Sequence, residues 1–212
     1  TLCLRLADHL GGARGMSRRD LWTSAGVQVD EVSSSVLVLN LRASEPAFLA
    51  DYLAAHAALG EPCRLTGRHL TRHKPSFACQ PVYVCEKPTV LAAVADRLGP
   101  RSRPLICCEG FASNAAERLL RLLSQQEVPL LYHGDFDWKG LAILNTLRKR
   151  LPIHPWRMGA ADYRALDGGT VLEGEPLQAD WDAKLSPAML ERGLAFHEEM
   201  LLATLVEDLT ED

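Results

Sequence analysis

An α/β fold is what this 212-residue chain predicts: a Rossmann-like, mainly parallel sheet flanked by helices, with a small N-terminal α+β module. Three observations carry that expectation. From residue 82 onward, short apolar runs alternate with stretches of helical period. The apolar runs are continuous, as in strands covered on both faces. The links between them are only a few residues long, as in βαβ units.

Residues 1–76 read as the accessory module. "MSRRDLWTSAG" has Ser17 to cap a short helix and Gly26 to end it. "SSSVLVLNL" is apolar and rich in valine, hence a strand. "EPAFLADYLAAHAALG" has helical spacing and stops at Gly60. "PSFACQP" (75–81) carries a proline at each end and is expected to mark the boundary, the second domain running over 77–212. In that domain "VYVC" (82–85), "PLICC" (104–108) and "VPLLYH" (128–133) are strands. The helices between and after them are "TVLAAVADRLG", "SNAAERLLRLLSQQ" with Ser113 as cap, and "KGLAILNTLRKRL". "IHPWRM" (153–158) is a fourth strand, confined to an edge or interrupted because Pro155 has no N–H for a ladder. "SPAMLERGLAFHEEMLLATLVEDL" reads as one last helix, with Ser186 as cap, Pro187 in the first position, and a stripe of Leu190, Leu194, Leu201 and Leu205. There is no internal repeat and no low-complexity segment.

At 47% hydrophobic and 24% charged residues, the composition is that of an ordinary globular chain. No apolar run reaches the length of a membrane span, and no signal segment opens the chain. None of the six cysteines forms a C-x-x-C pair, and Cys85, Cys107 and Cys108 sit inside apolar runs. The expectation is a reduced, cytoplasmic protein without membrane partners. Because the chain begins at Thr1, it is expected to be a fragment of a longer one. A net charge of −4 does not announce a nucleic-acid binder, but basic residues cluster in "GARGMSRRD" and "RLTGRHLTRHK".

The chemistry is expected at the carboxyl ends of the strands, where sheets of this kind bind ligands. Each of three successive strands ends on acids: Glu86, Glu109, and the pair Asp135 and Asp137 in "YHGDFDWKG". Residues two apart in a strand face the same side, about 6.6 Å apart, so Asp135 and Asp137 can address one site. Any one of these acids alone could be a helix cap. Together, Glu86, Asp135 and Asp137 read as ligands of a hard cation, Mg2+ or Mn2+. Glu109 is a fourth candidate, and the absence of His or Cys at ligand spacing argues against zinc. Lys87 and Lys139 neighbour these acids and could neutralise phosphate. Arg64, Arg68 and Arg72 recur every four residues and suit the DNA backbone, with Arg157 as a weaker candidate. Trp138 is expected to pack against the sheet edge, and His133 at the end of its strand.

The strand ending in Glu86-Lys87, the later strand ending Asp-x-Asp, and Gly140 three residues on resemble the Toprim fold. The stretches "VCEKP", "YHGDFDWKG" and "PWRMGAADY" resemble the Toprim nuclease subunit, JetD-like, of bacterial Wadjet plasmid-defence systems, related to the A subunit of type IIB topoisomerases. The resemblance covers residues 81–165 well, runs loosely to the C-terminus and is faint in 1–75. It implies Mg2+-dependent endonucleolytic cleavage of double-stranded DNA, with SMC-like subunits and a second copy of the chain as partners. It gives Glu86 the role of general acid/base or ligand, and Asp135 and Asp137 the metal. Two departures stand out. The topoisomerase relatives carry a lysine between glycines near Glu109-Gly110 and a proline near Trp138, and the extra carboxylate leaves the metal count open.

The type IIB relatives cut with an upstream tyrosine. Residues 1–51 hold no tyrosine, so the nucleophile is either a group upstream of this fragment or water, and the Wadjet resemblance implies water. Tyr132 is expected to point away from the face of Asp135 and Asp137. With a negative net charge and an incomplete N-terminal module, the chain alone is expected to cut DNA poorly. Three alternatives remain open: a phosphatase of the haloacid dehalogenase type, which also ends a strand on Asp-x-Asp; a non-catalytic Toprim module that docks a DNA-loading complex; and a Toprim primase, for which no specific motif is visible.

Overall fold

The computed structural model describes residues 31–110 and 112–210. The predicted helix over "MSRRDLWTSAG" lies outside the described residues. In chain order the strands are β1 (Ser35–Leu39), β2 (Ala43–Glu45), β3 (Cys63–Thr66), β4 (Ser76–Phe77), β5 (Val82–Cys85), β6 (Leu105–Cys107), β7 (Leu130–Tyr132), β8 (Ile153–Pro155), β9 (Thr170–Val171) and β10 (Leu194–Ala195). The α-helices are α1 (Ala47–Leu59), α2 (Gly67–His73), α3 (Pro88–Leu98), α4 (Asn114–Gln125), α5 (Trp138–Arg148), α6 (Ala160–Arg164), α7 (Leu185–Arg192) and α8 (Leu202–Asp208).

One sheet of six strands, ordered β3-β1-β6-β5-β7-β8, forms the centre. β6, β5, β7 and β8 are parallel neighbours, and helices flank them, so the fold is α/β as predicted. β8 takes the edge, where the missing N–H of Pro155 breaks no interior ladder. Val84, Cys85, Leu105, Ile106 and Leu130 are completely buried, which is why these strands read as unbroken apolar runs. The local stops and starts hold as well. Gly60 and Gly99 end α1 and α3, and the Ser113 hydroxyl accepts the N–H of Ala116 to open α4.

Two expectations are corrected. The stretch 75–81 does not separate two sheets, because β1 and β3, which precede it, belong to the central sheet. β1 runs antiparallel between β3 and β6 and buries Val36, Val38 and Leu39. Its apolar side chains need the same core as the parallel strands, and β6 offers an open edge to pair with. The C-terminal helix is not one helix. Gly193, with φ of 63°, closes α7 in the left-handed region. The chain then forms β10 against β9, a 3-10 turn over Glu198–Leu201, and α8. Ser186 is no cap: its hydroxyl donates to the Leu177 carbonyl at 2.7 Å and accepts the N–H of Ala179 at 3.0 Å. The supposed stripe divides accordingly, with Leu201 and Leu205 buried and Leu190 exposed.

Candidate functional site

β5 lies between β6 and β7, all parallel, so their carboxyl ends share one edge. The ladder continues past the strands, with Cys108 N–H on the Cys85 carbonyl at 3.0 Å and His133 N–H on the Val84 carbonyl at 2.9 Å. Glu86 therefore leaves β5 between the ends of its two neighbours. Asp135 arrives three residues after β7, and α5 starts immediately above it. Gly140 is required there, since a Cβ would run into the Asp135 carbonyl.

Glu86 is 5% exposed and Asp135 7%. Burial, followed by the nearby Asp135 charge, raises the Glu86 carboxyl above its ordinary range. The Lys139 ammonium, on an exposed side chain, stands 4.0 Å from Glu86 Oε1 and offsets this only in part. Glu86 Oε2 is buried with no hydrogen-bond partner. The Tyr132 hydroxyl is also buried without one. A Cβ on Gly134 would sit 2.8 Å from that hydroxyl and 3.0 Å from Glu86 Oε2, so glycine alone leaves room for both. Tyr132 thus departs from expectation. Its ring is fully buried, yet its hydroxyl lies on the Glu86 side of the site, because residue 134 has no side chain to displace it.

Asp135 is held from two directions. Its Oδ1 accepts the N–H of Glu198 at 2.7 Å. Its Oδ2 faces the Lys87 ammonium at 3.0 Å and His197 Nδ1 at 3.3 Å. Lys87 also reaches Glu199 Oε2 at 3.1 Å and His197 Nδ1 at 3.2 Å. Partial burial alone would depress the Lys87 ammonium, but the carboxylates of Asp135 and Glu199 outweigh it and raise it. Thr89 steadies Glu199 through a 2.7 Å hydrogen bond. Glu198 itself is fully buried, and burial lifts its carboxyl well above the usual range.

Sequence reasoning missed His197, Glu198 and Glu199, because they lay inside what read as one helix. Gly193 in mid-pattern was the available signal. A reciprocal backbone pair between Phe136 and Phe196, at 2.9 and 3.2 Å, docks this returning segment beside Asp135. The Arg192 guanidinium braces the docked turn, 5.4 Å from the Tyr163 ring centre and 5.3 Å from that of Phe196.

The remaining candidates divide. Asp137 caps α5, its Oδ1 accepting the Gly140 N–H at 2.6 Å, and its charge is still felt by Glu86. Glu109 turns away to Arg64, which holds both its oxygens at 2.8 and 3.0 Å and keeps its carboxyl below the ordinary range. That pairing also commits Arg64. Arg157 is likewise committed, gripping both oxygens of Asp208 at 2.7 Å. Arg68 and Arg72 lie exposed on α2, four residues apart, after the Thr66 capping box. Trp138 packs at 7% exposure. His133 is buried, with Nδ1 2.8 Å from the Trp156 carbonyl, and burial brings it down to about 4, so it stays neutral.

The donor set is one of hard oxygens, and a partnerless buried oxygen on Glu86 suits a divalent cation in chemistry. In arrangement the set is open: among the described residues, no group of three or more His, Cys, Asp and Glu is placed to hold a metal ion. Among those residues also, no helix is long and apolar enough to cross a membrane.

The model of a family described as "Protein of unknown function C-terminus (DUF2399)" matches residues 63–209, which include every acid of this edge. A second, described as "Protein of unknown function N-terminus (DUF3323)", matches residues 3–43. No curated protein matches the chain.

Proposed function

The chain belongs to the DUF2399 family, and from the acids gathered at its strand ends we propose that it is a divalent-cation-dependent DNA endonuclease, hydrolysing phosphodiester bonds with water as nucleophile. The observation that carries this reading is Glu86, buried between two parallel strands, with one oxygen unpartnered and Asp135 close enough to raise its proton affinity. A carboxyl left short of hydrogen bonds is costly in a core, and such groups gather where chemistry is done. The Toprim and Wadjet resemblance supplies the substrate class and SMC-like partners.

Mg2+ or Mn2+ would be held by Asp135 with Glu86 or Asp137 beside it, since such an ion needs only one or two carboxylates and keeps several waters. When bound, such an ion lowers the pKa of its water and offsets charge on phosphoryl oxygens. The resemblance makes Glu86 either a ligand or the general acid/base, and its raised proton affinity suits the second role, with Oε2 free to take or return a proton. Lys139, exposed beside Glu86, is placed to meet a phosphate. Lys87 orients Asp135 by holding Oδ2. Arg68 and Arg72 give a sequence-independent grip on the backbone.

Water is favoured over tyrosine for a structural reason. Tyr132 is fully buried and its hydroxyl is pushed upward by burial. Tyr163 donates to the Leu194 carbonyl at 2.7 Å, and Tyr52 sits on α1 among His56 and His69. The test is Mn2+-dependent nicking of supercoiled plasmid by the full-length protein with its partner subunits. Activity is expected from the wild type and not from Asp135→Asn. Equal nicking by both would refute the site, and protein covalently joined to a DNA end after denaturation would refute water.

A further inference from the structure

We propose that Glu198 is a positioning residue for the strand-end site, holding the Glu86-Lys87 backbone and Asp135 in one frame. This rests on reading that edge as a divalent-cation site. Glu198 is 0% exposed. Both its oxygens lie 3.1 Å from the Glu86 N–H, and Oε2 accepts the Lys87 N–H at 2.8 Å. Its own N–H donates to Asp135 Oδ1 at 2.7 Å. One residue thereby fixes the backbone that aims Glu86 and Lys87, and fixes one oxygen of Asp135.

The local chain explains why such a clasp is needed. Glu86 and Lys87 lie between the last residue of β5 and Pro88, which opens α3. Pro88 has no N–H, so the amides of Glu86 and Lys87 are the donors left at this strand-to-helix turn. Burying a carboxylate is costly because it loses its water, and no ammonium or guanidinium among the described residues is paired with this one. A neutral acceptor would close a turn at less cost. What the carboxylate adds is two acceptors on a rigid fork, meeting two successive amides at once. Groups that orient ligands in this way typically change metal affinity 10- to 100-fold when altered.

A clasp that merely fastened the C-terminal turn would set stability and leave the folded protein's ion affinity alone. Calorimetry and electron paramagnetic resonance with Mn2+ separate the two roles in wild type, Asp135→Asn, Glu198→Gln and Glu198→Asp, each checked for fold by circular dichroism. In Glu198→Gln one acceptor becomes an NH2 facing backbone N–H groups. This variant is expected to keep its fold, bind Mn2+ at least ~10-fold more weakly and show an altered Mn2+ spectrum. Glu198→Asp, which keeps both acceptors on a shorter arm, is expected to recover part of the loss. If Asp135→Asn binds Mn2+ like wild type, the reading of the site falls and this proposal with it. If Asp135→Asn loses the ion while folded Glu198→Gln keeps wild-type affinity, only the proposal falls. Unfolding of both Glu198 variants overturns it too, by making Glu198 a structural clasp.

Discussion

At the carboxyl ends of β5 and β7, the buried carboxylates of Glu86, Asp135 and Glu198 crowd together, and the Lys87 ammonium that touches Asp135 is shared with Glu199. At the C-terminus of α8, Asp208 gives each oxygen a donor: Arg157 grips both, and the Trp156 indole adds a third bond at 2.7 Å. The ingredients match and the outcomes are opposite. Asp208 is held below its ordinary range by Arg157, whereas burial lifts Glu86 above its own. A satisfied acid stabilises the native state. A crowded one with an unpartnered oxygen strains it, which is the pattern expected where function is kept at the expense of stability.

The most direct way to break this contrast is to neutralise Glu86. If it handles a proton, Glu86→Gln lowers the proposed plasmid nicking by at least ~100-fold. Nicking at the wild-type rate would make Glu86 a structural acid like Asp208.

Next in size is Asp208→Ala, which leaves the buried indole N–H and Arg157 without their acceptor. It is expected to cost about 1–3 kcal/mol at pH 7, or roughly 2–4 °C in Tm per kcal/mol for a chain of this length. Asp208 binds its proton less tightly folded than unfolded. Its contribution is therefore present above the ordinary aspartate range and fades as pH falls through the depressed folded value. Melting curves at successively lower pH should converge for wild type and variant.

Glu86→Gln should run the other way in stability. Glu86 binds its proton more tightly folded than unfolded, so the ionised form opposes folding at neutral pH. The variant is expected to gain about 0.5–2 kcal/mol at pH 8. The gain should shrink as pH falls through the raised folded value and vanish below the ordinary glutamate range, where both states carry the proton. A lower Tm at pH 8 would show that the carboxylate is structurally satisfied.

The smallest effect belongs to Glu109→Gln. Its pair with Arg64 is exposed, with side chains 37% and 48% accessible, and such pairs contribute at most about 1 kcal/mol. Mn2+ affinity measured by calorimetry should not change. A clear loss would return Glu109 to the ligand set.

Much of this was readable in the chain. The β-α alternation, the edge position of β8, the cap Ser113, and the arrival of Glu86 and Asp135 at one sheet edge follow from local apolar runs, proline and capping chemistry, and short crossovers. These are properties of a few consecutive residues, so the sequence by itself determines them. The rest depends on pairings that leave no local mark. β1 joins β6 across about 70 residues in the register Leu37 with Cys107. Arg64 claims Glu109 from 45 residues away. Glu198 meets the Glu86 amide from 112 residues away. Apolar strands, surface arginines and an acidic stretch each have many partners that would serve them equally well. Only the packed core, by placing Phe196 against Phe136 and turning the chain at Gly193, decided which they met.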